Sequence, residues 1–378
     1  MAVEIREVNG KKEMKIFIQF ANKLYKGNPY YCPTLDFDEL NTLTKGKNPA
    51  LNFCDYALFL AWRDGECVGR VAAMINPIAN EKWNCKKVRF GWFDFIDDEE
   101  ISRALLDKVV EWGKARGMDT LNGPVGFTDF DKEGLLIRGF EELSPMAVLY
   151  NYPYYEKHLV NYGLEKEADW MEYRVFVPDE LPERWTRVAE VAAKRSKLHN
   201  VKCHSVKELN QRYPNLEYFH LMSECYSILY NYQPPTIEQM QYVANFYFGI
   251  LNFDFVSLVE NEKNEIVALG LGMPDLTKAF QHCANGSLFP FGWYHMLKAL
   301  KAKKIDIIDE LIICVRPDYQ DSGAVALIFN EQFPYYKKYG VKHLETTSIL
   351  ETNHKNAANF TCFEHIQHKQ RRAYAKKI

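Results

Sequence analysis

The sequence has no strong excess of charge of either sign, which excludes two classes of protein. It carries 47 lysine and arginine residues against 50 aspartate and glutamate residues, for a formal net charge of −3. Because affinity for nucleic acid rests largely on cations that neutralise phosphates, a general nucleic-acid binder is excluded. With 47% hydrophobic and 26% charged residues, the chain does not have the composition of a disordered protein either.

Closely spaced cysteines are also missing. The nine cysteines are scattered between Cys32 and Cys362, and no two of them are separated by two to four residues. The sequence therefore predicts neither a zinc knuckle nor a CxxC redox pair. His365 and His368 lie three residues apart, but no third ligand is near in sequence, so we expect an exposed pair and no metal. Scattered cysteines are typical of reduced, buried thiols in a cytoplasmic protein.

Long hydrophobic runs are absent too. The first eight residues contain three charges and no apolar core, so no signal peptide is expected. The longest uncharged run near membrane length, residues 280–297, includes Gln281, His282 and Pro290, which a bilayer tolerates poorly. We expect a loop followed by a buried helix there, and no membrane span.

The sequence does contain a repeat: its two halves predict the same order of strands and helices. The first half reads as a strand over 3–8, a helix over 11–25, a hairpin of strands over 56–63 and 66–76, a strand over 87–95, a helix over 99–116 and a strand over 118–125. The second half reads as a strand over 201–206, a helical region over 207–230, strands over 254–260, 265–273 and 305–315, a helix over 323–339 and a strand over 341–350.

This repetition predicts a tandem duplication. The segments 101–118 and 324–341 have equal length, and each ends in Gly followed by an apolar residue. Residues 177–200, which contain two prolines and a charged helix, suit a connection. We therefore predict domains over 1–178 and 201–378 with a linker helix over 179–200. Each domain is expected to be an α+β unit with a mixed, mostly antiparallel sheet flanked by helices.

The turn from the fourth strand into the next helix differs between the halves. In the second half Ser322 is expected to cap the helix, and Gly323 is expected to let a ligand approach the backbone. Free N–H groups at such a helix end attract phosphate. In the first half four carboxylates, residues 97–100, occupy this place and would repel an anion. If one half binds an anionic cofactor, it is the second; an ordinary capped turn is the alternative.

The segment 305–325 (IDIIDELIICVRPDYQDSGAV) resembles the central motif of the GNAT superfamily of acyl-CoA-dependent N-acyltransferases. Val325 departs from the Gly or Ala that ends the motif. The segment 343–360 is also similar, and 145–155 (PMAVLYNYPYY) and 348–353 (SILETN) resemble a bacterial group of tandem-GNAT proteins. The resemblance implies two tandem GNAT-like domains that span nearly the whole chain.

The resemblance also implies site residues. Backbone N–H groups near Cys314 and Val315 would contact the acyl-pantetheine, and Arg316 would add charge. The pyrophosphate would be held by the loop formed by Gln320, Asp321, Ser322, Gly323, Ala324 and Val325. Glu310 is the expected general base; the alternative is a glutamate exposed to water at the strand end, as Asp306 and Asp309 nearby suggest. Glu351 is a second candidate, whose alternative role is to cap a helix. The tyrosine that often serves as general acid is missing from 359–363.

The sequence predicts a class of function, and two hypotheses remain open. The first hypothesis is an N-acyltransferase, in the first place an N-acetyltransferase, that uses acetyl-CoA or another acyl-CoA and acts on a small amine or amino acid. A variant of this first hypothesis is an enzyme that uses a long-chain or tRNA-linked acyl donor. In that case tRNA would be the one nucleic acid that the protein binds. The second hypothesis, motivated by the missing tyrosine, is a non-catalytic protein that binds a metabolite or a partner. Aromatic residues, 14% of the chain, are expected mainly in the core.

Overall fold

The fold is built on a single sheet of 14 strands flanked by helices, in a computed structural model that describes residues 2–283 and 286–378, with only the backbone described at Phe246. The strands are β1 (Glu4–Glu7), β2 (Asp55–Arg63), β3 (Glu66–Ile75), β4 (Lys87–Phe95), β5 (Thr120–Gly123), β6 (Leu135–Arg138), β7 (Glu165–Phe176), β8 (His199–Val201), β9 (Val256–Glu260), β10 (Ile266–Pro274), β11 (Ile307–Val315), β12 (His343–Thr346), β13 (Ile349–Leu350) and β14 (His365–Lys377).

Helices cover both halves of this sheet. They are α1 (Gly10–Leu24), α2 (Asp36–Thr42), α3 (Pro77–Lys82), α4 (Glu99–Lys114), α5 (Tyr154–Asn161), α6 (Glu183–Arg195), α7 (Val206–Arg212), α8 (Glu217–Tyr226), α9 (Ile237–Tyr247), α10 (Thr277–Gln281), α11 (Gly292–Leu300), α12 (Ala324–Tyr339) and α13 (His354–Ala358). No helix in the described ranges is long and apolar enough to cross a membrane.

The repeated order of elements that the sequence predicts is present. In the first half β1, β2, β3 and β4 are antiparallel neighbours, and β4 pairs with β5 in parallel. In the second half β8, β9, β10 and β11 are antiparallel neighbours, and β11 pairs with β12 in parallel. The mixed, mostly antiparallel sheet is therefore confirmed. The helical region predicted over 207–230 is instead two helices, α7 and α8, with Pro214 in the gap between them.

The two halves exchange their last strands. The strand order is β1-β2-β3-β4-β5-β14-β7-β12-β11-β10-β9-β8, so β14, from the end of the chain, pairs with β5 of the first half. In turn β7, which ends the first half, pairs with β12 of the second. The sheet therefore runs without interruption through both halves. The boundaries at 178 and 201 stay a prediction, since this pairing ties the halves together.

The basic tail, the sequence over 369–377, contains five basic residues, which are typical of a solvated last strand, and the exchange overturns this expectation. The basic tail lies in the middle of the sheet, where Lys369 and Arg371 are fully buried beside Glu172 of β7. Burial of a cation requires a partner charge, and Glu172 supplies it. His368, which the sequence placed in an exposed pair, is also buried and lies 2.7 Å from Glu345.

The predicted linker helix is α6, and it packs against α12 of the second half. Trp185, Ala189 and Ala192 of α6 belong to the same apolar core as the inner face of α12. The helix at the entry to the second half is therefore part of that half's core, and its charged residues form the outer face.

Candidate active site

The central strands of the second half separate. Strands β11 and β12 pair only from Ile307 with His343 to Glu310 with Thr346, and β11 continues to Val315 without β12 beside it. A bulge at Leu311 falls at this point, because Leu271 and Gly272 of β10 face Ile312 and Glu310. The extra residue bends β11 where the pairing ends. One edge of β11 is thereby left open.

The open edge presents backbone groups of Ile313 and Val315. The N–H of Arg316 donates to Val267 of β10 at 2.8 Å, and successive residues of a strand point alternately to either side. The backbone of Cys314 therefore faces β10, whereas those of Ile313 and Val315 face away from it. Within the described residues no hydrogen bond to the backbone of either is formed on that side. The backbone of Val315 is therefore on the open edge and that of Cys314 is not, and contacts of either with the acyl-pantetheine stay a prediction.

The first half closes the corresponding edge with its own tyrosines. Strand β4 likewise leaves β5 after Arg89, and it bulges near Trp92. Its last residue, Phe95, receives a hydrogen bond on its carbonyl from the Tyr154 hydroxyl at 2.5 Å, and its N–H donates to the Tyr155 hydroxyl at 3.4 Å. The first half therefore has no free strand edge at this place.

The helix ends that follow show the same contrast. In the first half Asp98 caps α4 by accepting the N–H of Glu100 at 2.9 Å, and Arg63 binds Asp98 at 2.7 Å. In the second half no side chain of the described residues caps α12. The expectation that Ser322 caps this helix is wrong, because its hydroxyl donates to the carbonyl of Tyr319 at 2.6 Å. Uncapped N–H groups and the helix dipole favour an anion at this end.

Two of the remaining residues near the end of α12, Arg316 and Gln320, are bound by other side chains. Arg316 lies 2.8 Å from Asp318 and 3.4 Å from Glu265, so its charge is largely neutralised. Gln320 accepts a hydrogen bond from Lys355 at 2.7 Å. Asp321 is exposed, Ala324 is buried and Val325 is half-buried. Pyrophosphate binding by these residues stays a prediction.

Packing, in addition to the predicted approach of a ligand, explains why residue 323 is a glycine. Its φ of +85° is in the left-handed region, and a Cβ there would lie 2.9 Å from Val188 and 3.1 Å from Ala192 of α6. A side chain at 323 would therefore displace α6 whether or not a ligand binds.

A cavity of about 570 Å³ lies between the two places where the central strands diverge, β4 from β5 and β11 from β12. Both halves line it, and its walls combine apolar side chains with eight tyrosines, Tyr25, Tyr31, Tyr150, Tyr155, Tyr226, Tyr230, Tyr232 and Tyr247. At the second half it reaches Glu310 and Ile313. Among the described residues, none of 314–325 lines it. The cavity and the uncapped end of α12 are therefore separate, and the open edge of β11 runs from one towards the other.

Glu310 faces this cavity. It is 3% exposed, its Oε2 accepts only a long hydrogen bond of 3.5 Å from Tyr336, and its Oε1 has no partner within the described residues. Burial raises the pKa of Glu310 to about 8. A carboxyl with a pKa near neutrality, unpaired and facing a cavity, is suited to accept a proton.

Glu351, the second candidate base, lies elsewhere. One of its carboxylate oxygens accepts the N–H of Asp169 at 3.0 Å, and the other lies 2.7 Å from Lys166. It is not among the described residues that line the cavity. A catalytic role for Glu351 does not fit this placement, because both oxygens are committed to β7.

Sequence reasoning missed an acidic wall on the opposite side of the cavity. Asp38 of α2 and the loop residues Asp129, Asp131 and Glu133 line it together. Burial raises the pKa values of Asp38 and Asp131 to about 6, and it raises those of Asp129 and Glu133 as well. Carboxylates placed among aromatic side chains give no local sequence signal, since they become neighbours only when the loop folds over the sheet.

The acidic wall has capacity left for a ligand. Asp129 accepts the N–H of Gln233 at 2.8 Å and Asp131 that of Thr128 at 3.0 Å, but Glu133 makes no hydrogen bond within the described residues. Lys132 lines the same wall as a cation, whereas Arg70 is bound to Asp94 at 2.7 Å. Burial raises the pKa values of these carboxyls, and the buried Arg89 lowers those of Asp129, Asp131 and Glu133. A positively charged ligand would stabilise their ionised forms, so the wall suits a cation.

Tyr226, at the end of α8, is the other residue that sequence reasoning missed. It lines the cavity, and burial, followed by the neighbouring Cys314, raises its pKa well above the usual value for tyrosine; Glu310 adds to this rise. The sequence places Tyr226 inside one long helical region, which hid its position at the cavity.

Two bacterial proteins are related to this chain in sequence along most of their length. No protein-family model matches the sequence. The chain is 26% identical over 360 residues to protein YghO of Escherichia coli K12, covering 92% of this chain and 89% of YghO. It is 24% identical over 314 residues to the bacterial ceramide synthase of Caulobacter vibrioides, covering 82% of this chain and 79% of that protein.

Solved structures with the same architecture cover almost the whole chain. A tandem GNAT protein from the clavulanic acid biosynthesis pathway matches with a TM-score of 0.58 and 11% identity, over 99% of this chain and 98% of that one. A GCN5-related N-acetyltransferase from Sphaerobacter thermophilus matches with a TM-score of 0.52 and 12% identity, over 99% and 95%. The chain therefore has a tandem GNAT fold, as the motif at 305–325 predicts.

Proposed function

Starting from this tandem GNAT fold, we propose that the protein is an acyl-CoA-dependent N-acyltransferase that acylates a long-chain amine. The observation that carries the proposal is the cavity, which joins the open edge of β11 and the unpaired Glu310 to an acidic wall. The thioester end of a donor, a base and an amine thus have places in one cavity. Such an arrangement favours transfer by holding both reactants together.

The donor enters from the second half. The N–H of Ile313, which lies on the open edge of β11 and lines the cavity, donates to the thioester carbonyl, and it stabilises the negative charge that develops on that oxygen during attack. The pantetheine follows the open edge of β11, and the pyrophosphate lies at the uncapped end of α12. The first half is unsuited to this role, because Tyr154 and Tyr155 occupy its strand edge and Asp98 caps its helix.

The acceptor binds as an ammonium ion between the acidic wall and the tyrosine rings. Its positive charge is stabilised by the carboxylates and by the faces of the rings. Glu310 removes a proton, and the neutral amine attacks the thioester carbonyl. The C–N bond forms, the C–S bond breaks, and Tyr226 supplies the proton to the departing thiolate. The second proton that the nitrogen loses then restores the Tyr226 hydroxyl, and the proton held by Glu310 leaves to solvent. Tyr226 thereby takes the place of the general acid that is missing from 359–363.

A long chain on the acceptor and on the acyl group is supported by two observations. The cavity walls away from the acids are apolar, with Met222, Leu251, Leu271, Met273 and Ile349 among them. One relative is named a bacterial ceramide synthase, and a ceramide is the fatty amide of a long-chain amino alcohol. Both favour a long-chain donor over acetyl-CoA.

The first prediction tests this function with defined substrates. Purified protein mixed with palmitoyl-CoA and sphinganine should release CoA, measured with a thiol-reactive dye, and form an amide detected by mass spectrometry. With acetyl-CoA in place of palmitoyl-CoA we expect at least a tenfold lower kcat/KM. A faster reaction with acetyl-CoA would contradict the long-chain proposal, and the absence of any amide with either donor would contradict the enzymatic one.

The second prediction concerns the acidic wall. Burial raises the pKa of Glu133 to about 8, so this carboxyl ionises only when a cation such as the amine binds beside it; Glu133→Gln removes that ionisable group without breaking a hydrogen bond, since Glu133 forms none within the described residues. We expect KM for the amine to rise about tenfold, the equivalent of about 1.4 kcal/mol, while KM for acyl-CoA stays the same. Steady-state kinetics with each substrate varied in turn separates the two values. Glu190→Gln, an exposed residue of α6, is the control and should change neither. An unchanged KM for the amine would remove the acidic wall from the acceptor site.

A further inference from the structure

Helix α11 and the turn before it carry an exposed apolar surface. Phe289, Phe291, Trp293, Tyr294 and Leu297 are 76%, 70%, 45%, 53% and 46% exposed, respectively. The sequence predicted a loop and a buried helix over 280–297, and the helix is instead buried on one face only. Five large apolar side chains within nine residues form a patch of a kind that marks an interaction site. We call these five residues the aromatic patch.

The aromatic patch is not part of the core of the protein. The other face of α11 carries Met296, Ala299 and Leu300, which pack on a separate apolar cluster with Phe280 and Cys283. Helix α11 therefore has two apolar faces, one that fixes it to the protein and one that points outwards. Trp293 and Leu297 are four residues apart, so they lie on the same outward face.

Positive charge borders the aromatic patch. Lys298, Lys301, Lys303 and Lys304 are all exposed, and residues 286–304 contain no aspartate or glutamate. Within the described part of the chain none of these four lysines forms an ion pair. The four charges are free to attract anions, although the chain as a whole has a net charge of −3.

We propose that this surface docks on a lipid bilayer with anionic headgroups. Tryptophan, tyrosine and phenylalanine partition into the headgroup region, and lysines beside them are attracted to anionic lipids. A second copy of the chain is a less suitable occupant, because a two-fold contact would place the four lysines opposite one another. Docking needs only a helix that lies on the bilayer, so the finding that no described helix can cross a membrane is compatible with it.

The surface lies close to the cavity. The apolar cluster beneath α11 includes Cys32, Met146, Met273 and Leu311, and all four also line the cavity. A docked protein would therefore hold its cavity near the bilayer, from which long-chain amines are drawn. The docking surface itself does not depend on the proposed function.

Cosedimentation with vesicles tests the docking. The full chain should sediment with phosphatidylglycerol–phosphatidylcholine vesicles and at least tenfold less with pure phosphatidylcholine vesicles. Raising the salt concentration should weaken the binding, since it screens the lysines. No binding to anionic vesicles would overturn the proposal, and so would dimerisation in their absence that is abolished by substitutions in the aromatic patch.

Two variants and two controls assign the binding to this surface. Phe289→Ser with Phe291→Ser, and separately Lys301→Glu with Lys303→Glu, should each lower vesicle binding at least tenfold. Ile228→Ser, at a residue that is 82% exposed, and Lys11→Glu with Lys12→Glu are the matched controls and should bind as the unmodified chain does. All these positions are exposed, so circular dichroism should show unchanged folding. Equal binding by the variants and the controls would overturn the assignment. None of these outcomes depends on whether acyl transfer is detected.

Discussion

Replacement of Glu310 by glutamine should lower kcat by about 10²- to 10⁴-fold, the range expected when a general base is lost. Glutamine keeps the size and the hydrogen-bonding atoms of the side chain but cannot accept a proton from the amine. Because the open edge of β11 and the end of α12 are untouched, the dissociation constant for CoA should stay the same. Isothermal titration with CoA and steady-state kinetics measure the two effects separately.

The pH dependence of the reaction is a second readout for Glu310. Burial raises the pKa of Glu310 to about 8, so the free enzyme holds this carboxyl mostly protonated at pH 7. The ionised form is the base, and kcat/KM should therefore rise between pH 6.5 and 8.5 with an apparent pKa near 8 and then level off. The Glu310→Gln variant should lose this rise.

Its neighbour Asp309 provides the matched control. It is also buried, at 2% exposure, and both of its carboxyl oxygens lack a partner within the described residues. Burial, followed by repulsion from Asp275, raises the pKa of Asp309 well above its usual value, so asparagine closely imitates its protonated form. Asp309 is not among the described residues of the cavity wall, and Asp309→Asn should keep kcat within a factor of three. Full activity of Glu310→Gln, or equal losses in both variants, would remove Glu310 as the base.

Much of the fold could be predicted from the sequence because its signals are local. The hairpin at Asp64 and Gly65, the helix that ends before Gly340 and the long apolar strand 305–315 each follow from neighbouring residues, and all are present. Glu310 lies on that strand, so its position could be predicted as well. What could not be predicted depends on partners far away in the sequence. The basic tail resembles a solvated strand because Glu172, which neutralises Lys369 and Arg371, is about 200 residues away.

The candidate site shows the same division. The tyrosines over 150–155 were predicted as core residues, but their neighbours do not reveal that Tyr154 and Tyr155 close the strand edge of the first half. The fit of Gly323 against Val188 depends on a helix that was predicted only as a connection. The sequence motif thus locates the residues along the open edge of β11. Residues whose role depends on contact between distant segments, such as Tyr154 and Tyr155, are located only by the structure.

The largest effect on stability should come from Glu172→Gln. Glu172 is fully buried, with Lys369 at 3.0 Å, Arg371 in direct contact and the Ser348 hydroxyl at 3.3 Å. Glutamine would leave the buried Arg371 without its counter-charge and Lys369 with only Glu345, at 3.9 Å, and the loss of one partner of a buried ion pair typically costs about 3–5 kcal/mol. Urea unfolding should show a free energy of unfolding lower by about this amount. Glu183→Gln, in an exposed pair with Arg187, is the control and should cost less than about 0.5 kcal/mol.

The pH dependence of this loss follows from the pKa of Glu172. Burial alone would raise it, but Arg371 and Lys369 outweigh burial and hold the pKa to about 2. A carboxyl with a folded pKa below its unfolded value stabilises the fold above the unfolded pKa, about 4.3 for glutamate, and this stability is lost as the pH falls towards 2. The unmodified chain should therefore lose stability between pH 5 and pH 2 more steeply than Glu172→Gln. Parallel curves would show that Glu172 is not the group that titrates.

The exchanged strands explain why one carboxylate has so large an effect. Glu172 lies on β7 from the first half, while Lys369 and Arg371 lie on β14 from the end of the second, and these two strands are neighbours along most of their length. Their charges therefore hold together segments that no local turn connects. If Glu172 fixes this pairing, Glu172→Gln should unfold in two steps in urea, with the exchanged strands separating first. A single transition of unchanged steepness, displaced to lower urea, would instead mean that the apolar cores on either side keep the halves joined without it.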